Sequence, residues 1–215
     1  CWWTCENIRR TTWRRFLLMN YSYIELFPTL LMKFNNIISS EELGNIFRVI
    51  KNENSQRDQA LINGKSGFDN DEDILLKLNI KERFQEAVNI YSIQHKFSNI
   101  FIANSWFSIQ DVNGMLKEHQ HPESIISGVF YINVDENSNP LVFKNPNPII
   151  PFTYGSPISY PERSKYNEDV FYIQPKNGEL TLFPSWLIHG CKYIANKNKD
   201  RISISFNTSL TNKCL

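Results

Sequence analysis

The sequence predicts a mainly β fold with flanking helices, arranged as a sandwich or a jelly roll. After Ser98 the chain consists of short apolar segments, rich in β-branched and aromatic residues, that alternate with turn-forming clusters. Two amphipathic segments with helical periodicity come before them. The 215 residues are 41% hydrophobic and 13% aromatic, which is enough to bury the core of one domain.

Six segments after Ser98 have the composition of β-strands. They are NIFIANSWF, IISGVFYIN, LVF, VFYI, ELTLF and RISISFN. Turn-forming residues separate them, for example at 135–140 and 176–178. Polar and apolar residues alternate in the last segment, so that Arg201, Ser203 and Ser205 share one face of the predicted strand.

The two helices are predicted from their capping residues and their apolar spacing. Ser39 and Glu42 have the spacing of a capping box, so the first helix begins there. Its predicted buried face consists of Leu43, Ile46, Phe47 and Ile50. The second helix is expected to start at Asn79, with Glu82 at its third position, and to bury Phe84, Ala87, Val88 and Tyr91.

Three regions lack a regular pattern. Tyr21–Phe34 is expected to form two short strands with a bend at Pro28. Residues 51–73 are expected to form a mobile surface loop, because the sequence at 63–67 lacks the first glycine of a phosphate-binding loop and no apolar strand precedes it. The proline-rich span 145–164 is expected to be a long irregular loop, either a lid or a plain insertion.

The first eighteen residues differ in composition from the rest of the chain. They contain four Arg, one Glu and three of the five Trp. Such a basic amphipathic stretch is typical of a surface-binding or targeting segment. We favour the simpler interpretation that residues 1–18 are not native to the protein and that the natural chain starts at Met19.

Charge and composition argue against several classes of protein. Without residues 1–18 the chain has 19 basic and 21 acidic side chains, so no nucleic-acid partner is expected. No apolar run approaches the roughly 18 to 20 residues that a membrane-spanning helix needs. The chain has neither a disulfide framework nor a signal-peptide pattern, which favours a cytoplasmic location.

Three of the four histidines have the spacing of a metal site. His119 and His121 are one residue apart, and side chains at such positions of an extended segment point to the same side. The distant His189 can supply a third ligand. Non-haem iron suits such a set because it needs open positions for substrate and oxygen, but zinc accepts the same ligands. His95 is expected to be solvated at the end of the second helix.

Arg201 predicts an anionic ligand on the same side of the sheet. It begins the last strand and shares a face with Ser203. A buried guanidinium needs a partner, and a carboxylate can accept two parallel hydrogen bonds from it.

Taken together, these segments resemble the iron(II)- and 2-oxoglutarate-dependent oxygenases, in particular a group related to prolyl hydroxylases that is common in marine bacteria and phages. The resemblance runs from about Ile24 to Asn207. It is densest in Asn104-Ser105-Trp106, HQHPESIISGVFYI, Leu141-Val142-Phe143 with Asn145-Pro146, GELTLFPSWLIHG and RISISFN. It implies a double-stranded β-helix (jelly roll) that forms a single oxygenase domain over residues 19–215.

The resemblance also implies roles for individual residues. His119 and His189 would bind iron(II), Arg201 with Ser203 would bind the distal carboxylate of 2-oxoglutarate, and Tyr131 would lie near this cosubstrate. The implied reaction hydroxylates a C–H bond of a small-molecule or peptide substrate, with release of succinate and carbon dioxide. Trp106 and Phe107 are candidates for the substrate side, and each could equally pack in the core.

Position 121 departs from the pattern of the resemblance. The wider superfamily has an aspartate or a glutamate there, whereas this chain has His121. Either His121 is the ligand, or Glu118 or Glu123 reaches the metal instead. We favour His121, because Glu118 alternates to the other face and Glu123 follows a proline that redirects the chain.

Two other functions fit the same residues. One is a cupin-like enzyme with a three-histidine centre that does not use 2-oxoglutarate. The other is a non-catalytic β-sandwich, either a binding module or a phage structural protein.

Overall fold

Ten strands and three helices form the described part of the chain in the computed structural model, which covers residues 22, 24–70, 72–147, 164–191 and 194–210. The helices are α1 (Ser40–Asn52), α2 (Ile74–Lys77) and α3 (Lys81–His95). The strands are β1 (Met32–Phe34), β2 (Gln56–Arg57), β3 (Leu61–Ser66), β4 (Phe101–Leu116), β5 (Ile126–Asn133), β6 (Leu141–Lys144), β7 (Val170–Ile173), β8 (Leu180–Pro184), β9 (His189–Gly190) and β10 (Arg201–Ser209).

The strands form two antiparallel sheets. The larger sheet has the order β1-β8-β5-β10-β4-β3-β2, and the smaller has the order β7-β6-β9. All six predicted segments form strands, so the predicted mainly β fold with flanking helices is confirmed. Among the described residues, no helix is both long enough and apolar enough to cross a membrane.

Each face of the larger sheet contributes to its own apolar core. On the outer face, β10 buries Ile202, Ile204 and Phe206 in a core that also contains Phe84 and Tyr91 of α3. The inner face packs against the smaller sheet, and its core contains Val129, Tyr131, Phe143, Phe183 and Leu187. The predicted alternation along β10 is therefore confirmed, and its polar residues point inward.

The capping box of α1 forms as predicted. Ser39 Oγ accepts a hydrogen bond from the main-chain N–H of Glu42, and Glu42 Oε2 accepts one from the N–H of Ser39. Arg83 of α3 donates to the same carboxylate at 2.7 Å and holds the pKa of Glu42 well below its usual value, at about 2. The Glu42 side chain thus caps α1 and also joins α1 to α3.

The second predicted helix forms as α3, and the short helix α2, which was not predicted, precedes it. Asn79 has a φ of 56°, in the left-handed region, so the chain turns there between α2 and α3. The longer helix begins at Lys81 and not at Asn79. Its predicted buried face is confirmed, since Phe84, Ala87, Val88 and Tyr91 are all buried.

Outside the main strands, one prediction is wrong and one is confirmed in part. Residues 51–73 contain β2 and β3, and β3 pairs with the long strand β4. These strands have few apolar side chains and are held by main-chain hydrogen bonds, so their pattern gives no strand signal. Of the two strands expected over Tyr21–Phe34, the one after Pro28 forms as β1, whereas residues 24–30 contain no strand. Residues 1–18 and most of the proline-rich span, at 148–163, lie outside the described residues.

Gly128 of β5 lies directly against the outer core. A Cβ atom added at Gly128 would lie 2.2 Å from Cζ of the buried Phe206 ring. We expect Gly128→Ala to lower the free energy of unfolding by about 1–3 kcal/mol, because the ring has to move within a packed core. Urea unfolding of the purified protein measures this change.

Gly44→Ala is the matched control for this prediction. Gly44 is exposed on α1, and a Cβ atom there meets nothing within 4 Å. Alanine is a better helix former than glycine, so Gly44→Ala should raise the free energy of unfolding by up to about 1 kcal/mol. Equal effects of the two substitutions would contradict the packing argument.

Candidate metal centre

A cavity of about 450 Å³ lies on the inner face of the larger sheet. Its lining includes polar residues of β4 and β10, together with residues of β5 and the segment that precedes it. The predicted site residues His119, His121, His189, Tyr131, Arg201 and Ser203 all line this one cavity. The fold therefore brings together residues that are up to 84 positions apart, as are His119 and Ser203.

The three histidines converge at one point in the cavity. Their potential ligand nitrogens all lie within 4.8 Å of one another. His119 and His189 form an isolated antiparallel bridge, in which each N–H donates to the other carbonyl at 2.9 and 3.0 Å. His121 is fixed beside them, because its main-chain N–H donates to the carbonyl of Ser185 at 2.9 Å.

Main-chain carbonyls set the orientation of two of the rings. Nδ1 of His119 lies 2.8 Å from the carbonyl oxygen of Lys117, and Nδ1 of His189 lies 2.8 Å from that of Leu187. A carbonyl oxygen only accepts, so both Nδ1 atoms carry the hydrogen. The lone pair of each neutral ring is then on Nε2, which is the arrangement of a metal-binding imidazole.

Burial favours the neutral form of the His121 and His189 rings. Desolvation lowers the pKa of His189 to about 3 and that of His121 to about 4, and the neighbouring His119 lowers both further. Metal binding requires the neutral ring, so at neutral pH protons do not compete for these two ligands.

The two carboxylates that were considered as alternatives to His121 are not part of this group. Glu118 forms a salt bridge with Lys144 at 2.9 Å, and Glu123 is exposed at the edge of the cavity. Among the described residues, the one group of metal-ligand type consists of the three histidines.

Arg201 is a buried cation in the same cavity. Only 4% of its surface is exposed, and its Nε atom has no hydrogen-bond partner within the described part of the chain. Its guanidinium carbon lies 5.3 Å from the centre of the Tyr131 ring. The nearby buried carboxylate of Glu179 binds Lys33 at 2.7 Å instead. Arg201 is therefore available to an anion that enters the cavity.

Tyr131 and Ser203 are buried next to Arg201. Burial raises the pKa of the Tyr131 phenol to about 12, with a partly opposing effect from the Arg201 charge, so the group remains a neutral hydroxyl. Ser203 pairs with Tyr131 in the β10–β5 ladder. These two hydroxyls and the guanidinium form a polar floor that fits a carboxylate.

Trp106 and Phe107 point in opposite directions. Trp106 lines the cavity, with its ring centre 6.4 Å from that of His121 and 5.0 Å from that of Phe68. Phe107 is buried in the outer core, so its role is packing. His95 ends α3 as expected, and it is half-buried, with its ring stacked between those of Tyr91 and Phe97.

One residue of the cavity was missed in the sequence. The side chain of Asn207 lines the cavity and lies 3.3 Å from Nδ1 of His121. Continuing the alternation of Arg201, Ser203 and Ser205 by one more step along β10 would have placed Asn207 on this face.

Part of the chain matches a family model. The model described as "Putative 2OG-Fe(II) oxygenase" matches residues 104–207, a range that contains the three histidines and Arg201. Over this range the chain is similar to that family. The resemblance to iron- and 2-oxoglutarate-dependent oxygenases is confirmed, and with it iron(II) and 2-oxoglutarate as metal and cosubstrate. A comparison with curated protein sequences gives no significant match.

Solved structures of oxygenases have the same fold. HygX from Streptomyces hygroscopicus, with nickel and 2-oxoglutarate bound, is 10% identical with a TM-score of 0.60, over 86% of this chain and 84% of that chain. A Pseudomonas putida prolyl-4-hydroxylase is 11% identical with a TM-score of 0.56, over 86% and 95%. The epimerase SnoN from nogalamycin biosynthesis is 12% identical with a TM-score of 0.58, over 84% and 76%. This likeness confirms the double-stranded β-helix of the oxygenase.

The low pKa values predict that the metal-free oxygenase loses stability in mild acid. His121 and His189 take up protons near pH 6.5 when unfolded but only near pH 4 and pH 3 when folded. Their contribution to stability is therefore complete above about pH 6.5 and falls as the pH drops towards 4. Urea unfolding at a series of pH values, with a chelator present, measures this slope.

His121→Gln provides the control, because glutamine does not titrate. The variant should show a smaller loss of unfolding free energy between neutral pH and pH 5 than the wild type. An equal slope in both proteins would mean that His121 is not the group that responds.

Proposed function

We propose that this oxygenase hydroxylates a C–H bond of its substrate, with iron(II) bound by His119, His121 and His189 and with 2-oxoglutarate bound by Arg201. The observation that carries the proposal is the convergence of three imidazoles in a cavity that also holds a buried guanidinium, which forms no salt bridge with any described residue. In the overall reaction, substrate, 2-oxoglutarate and O₂ give hydroxylated substrate, succinate and carbon dioxide.

The role of the three histidines is to hold the metal on one side only. Three protein ligands would be enough to hold iron(II), and the metal, when bound, would supply oxygen activation for attack on a C–H bond. The hydrogen bonds of His119 and His189 to main-chain carbonyls fix their rings before the metal arrives. This preorganisation supports tight binding, because little side-chain freedom remains to be lost.

The role of Arg201 is to neutralise and orient the distal carboxylate of 2-oxoglutarate. Tyr131 and Ser203 lie beside it and can donate hydrogen bonds from their hydroxyls to the same carboxylate. Bulk water is excluded from this part of the cavity, since all three residues are buried. A charge-assisted pair in such surroundings is stronger than one at the surface.

The substrate is expected to enter on the side of Trp106 and Phe68. These rings pack edge to face at the cavity, and Phe68 is 52% exposed. HygX binds hygromycin B in one of its structures, and another similar protein is a prolyl-4-hydroxylase, so a small molecule or a peptide is the proposed substrate class. Cys191 is a buried free thiol, which agrees with the proposed cytoplasmic location.

The proposal predicts that metal binding and cosubstrate binding can be lost separately. His189→Ala and His121→Ala should each abolish stoichiometric iron(II) binding, because each removes one of three ligands. Arg201→Ala should retain the metal but weaken 2-oxoglutarate binding by about 100-fold, since the carboxylate loses a buried charged partner. Anaerobic titration with iron(II) and then 2-oxoglutarate, followed by visible absorption, measures both steps.

Two other substitutions serve as matched controls in the same titration. His95→Ala removes the fourth histidine, and Arg48→Ala removes an exposed arginine of α1. Both should bind metal and cosubstrate like the wild type. If His121→Ala keeps its full metal content, a carboxylate and not His121 is the third metal ligand. If Arg201→Ala binds 2-oxoglutarate with unchanged affinity, Arg201 does not bind the cosubstrate carboxylate.

Product analysis tests the reaction type. A library of amino acids, peptides and small metabolites is screened for succinate release that depends on 2-oxoglutarate, and positive compounds are then incubated under O₂ labelled with a heavy oxygen isotope. Hydroxylation predicts one labelled oxygen atom in the product and one in succinate. An unlabelled product of unchanged mass would indicate epimerisation, and turnover without 2-oxoglutarate would favour the cupin-like alternative.

A further inference from the structure

His121 differs from the other two histidines of the site in the partner of its Nδ1 atom. Nδ1 of His119 and of His189 face main-chain carbonyls, whereas Nδ1 of His121 faces Nδ2, the NH₂ nitrogen of the Asn207 side-chain amide, at 3.3 Å. A carbonyl oxygen can only accept, so it allows only one tautomer of the ring. An amide can offer either its oxygen or its NH₂ group, so the orientation of Asn207 decides which nitrogen of His121 has the free lone pair.

A row of serine hydroxyls extends from the other end of this amide. Ser127 Oγ lies 2.8 Å from Oδ1 of the Asn207 amide and 2.8 Å from Ser185 Oγ. Ser185 Oγ lies 2.8 Å from Ser124 Oγ, which in turn donates to the carbonyl oxygen of Ile126 at 3.1 Å. This serine row therefore links the amide to a main-chain acceptor through four contacts.

Counting hydrogens along the serine row fixes its direction. The carbonyl of Ile126 only accepts, so the hydroxyl hydrogen of Ser124 lies in that contact, and Ser185 must donate to Ser124. Ser127 must then donate to Ser185, which leaves it no hydrogen for Asn207. All four contacts contain a hydrogen only when the NH₂ group of Asn207 faces Ser127.

The opposite orientation leaves one contact unsatisfied. In the structure Asn207 Oδ1 faces Ser127 and Nδ2 faces His121, so three hydroxyl hydrogens serve four contacts, and the NH₂ group would force the hydrogen of His121 onto Nε2. A half turn of the amide about its Cβ–Cγ bond exchanges oxygen and nitrogen with almost no change of shape. The turned form is favoured because it adds one hydrogen bond to the serine row, while the Ile126 carbonyl accepts from the Thr208 hydroxyl in both forms.

We propose that Asn207 is a positioning residue that holds His121 in the tautomer with hydrogen on Nδ1 and the lone pair on Nε2. This inference rests on the proposed role of His121 as a metal ligand. It explains how an imidazole can replace a carboxylate at position 121, because a carboxylate has no tautomers and needs no such control. The hydrogen bonds of the serine row, which end at the Ile126 carbonyl, set the orientation of the Asn207 amide. That orientation in turn sets the tautomer of the His121 ring.

The backbone of β10 contributes to the placement of Asn207. The pairing of β10 with β4 shifts register between Asn207 and Thr208. The Thr208 hydroxyl bonds to both the N–H and the carbonyl of Ile126 at 2.9 Å, and the Thr208 N–H donates to Ser124 Oγ at 3.0 Å. Such irregularities commonly redirect a side chain next to an active site. Here the two residues at the register shift contact opposite ends of the serine row: Asn207 contacts Ser127, and Thr208 contacts Ser124 and Ile126.

Zinc(II) affinity tests the inference without any need for turnover. Asn207→Leu removes the acceptor for Nδ1, and we expect it to weaken zinc binding by about 10- to 100-fold, the usual effect of losing such a partner. Asn207→Asp keeps an acceptor and should bind zinc close to the wild-type affinity. Ser127→Ala frees the amide to turn and should give a smaller loss than Asn207→Leu. Asn89→Leu, at an exposed position of α3, is the control and should have no effect.

Nitrogen NMR of ¹⁵N-histidine-labelled, metal-free protein gives the second readout. In the wild type and in Asn207→Asp, the His121 ring should carry its hydrogen on Nδ1, whereas Asn207→Leu and Ser127→Ala should show a mixture of tautomers. Wild-type zinc affinity and an unchanged tautomer in Asn207→Leu would overturn the inference. Undiminished zinc binding in His121→Ala would instead overturn the ligand role on which it rests.

Discussion

The two main-chain hydrogen bonds between His119 and His189 are the contact on which the site depends. His119 belongs to the segment between β4 and β5 of the larger sheet, and His189 belongs to β9 of the smaller sheet. Their bridge joins the two sheets at the point where the imidazoles meet. Because the bridge forms between main-chain atoms, the two rings are brought together by the fold itself and need no metal to attract them. A site built in this way is preorganised, and preorganisation increases affinity.

The cavity combines groups that a protein core normally excludes. It contains three imidazoles, a guanidinium without an anionic partner in the described chain and a fully buried phenol. Burying such groups costs stability unless a ligand satisfies them. The two apolar cores on either side of the larger sheet provide the stability that offsets this cost, and the depressed pKa values of His121 and His189 show how far the cavity is shielded from water.

The sequence predicts the strands and the histidine cluster well because both depend on local patterns. Alternation along β10 places Arg201 inward, and the one-residue spacing of His119 and His121 puts their rings on one side. The sequence fails where main-chain pairing decides the structure, as in β2 and β3, whose residues are mostly polar. It also does not reveal the serine row, since Ser124, Ser127 and Ser185 meet only in the folded chain.

Replacing a carboxylate with His121 changes the charge of the proposed complex. Iron(II) and the 2-oxoglutarate dianion balance each other, so with neutral imidazoles the positive charge of Arg201 is left over, whereas a carboxylate ligand would have cancelled it. An excess charge in a partly buried cavity is unfavourable unless an opposite charge lies nearby. The carboxylates of Asp58 and Glu123 line the same cavity, while Arg201 is the one lysine or arginine in the described lining. These acidic side chains can therefore supply, from the cavity wall, the negative charge that position 121 no longer provides.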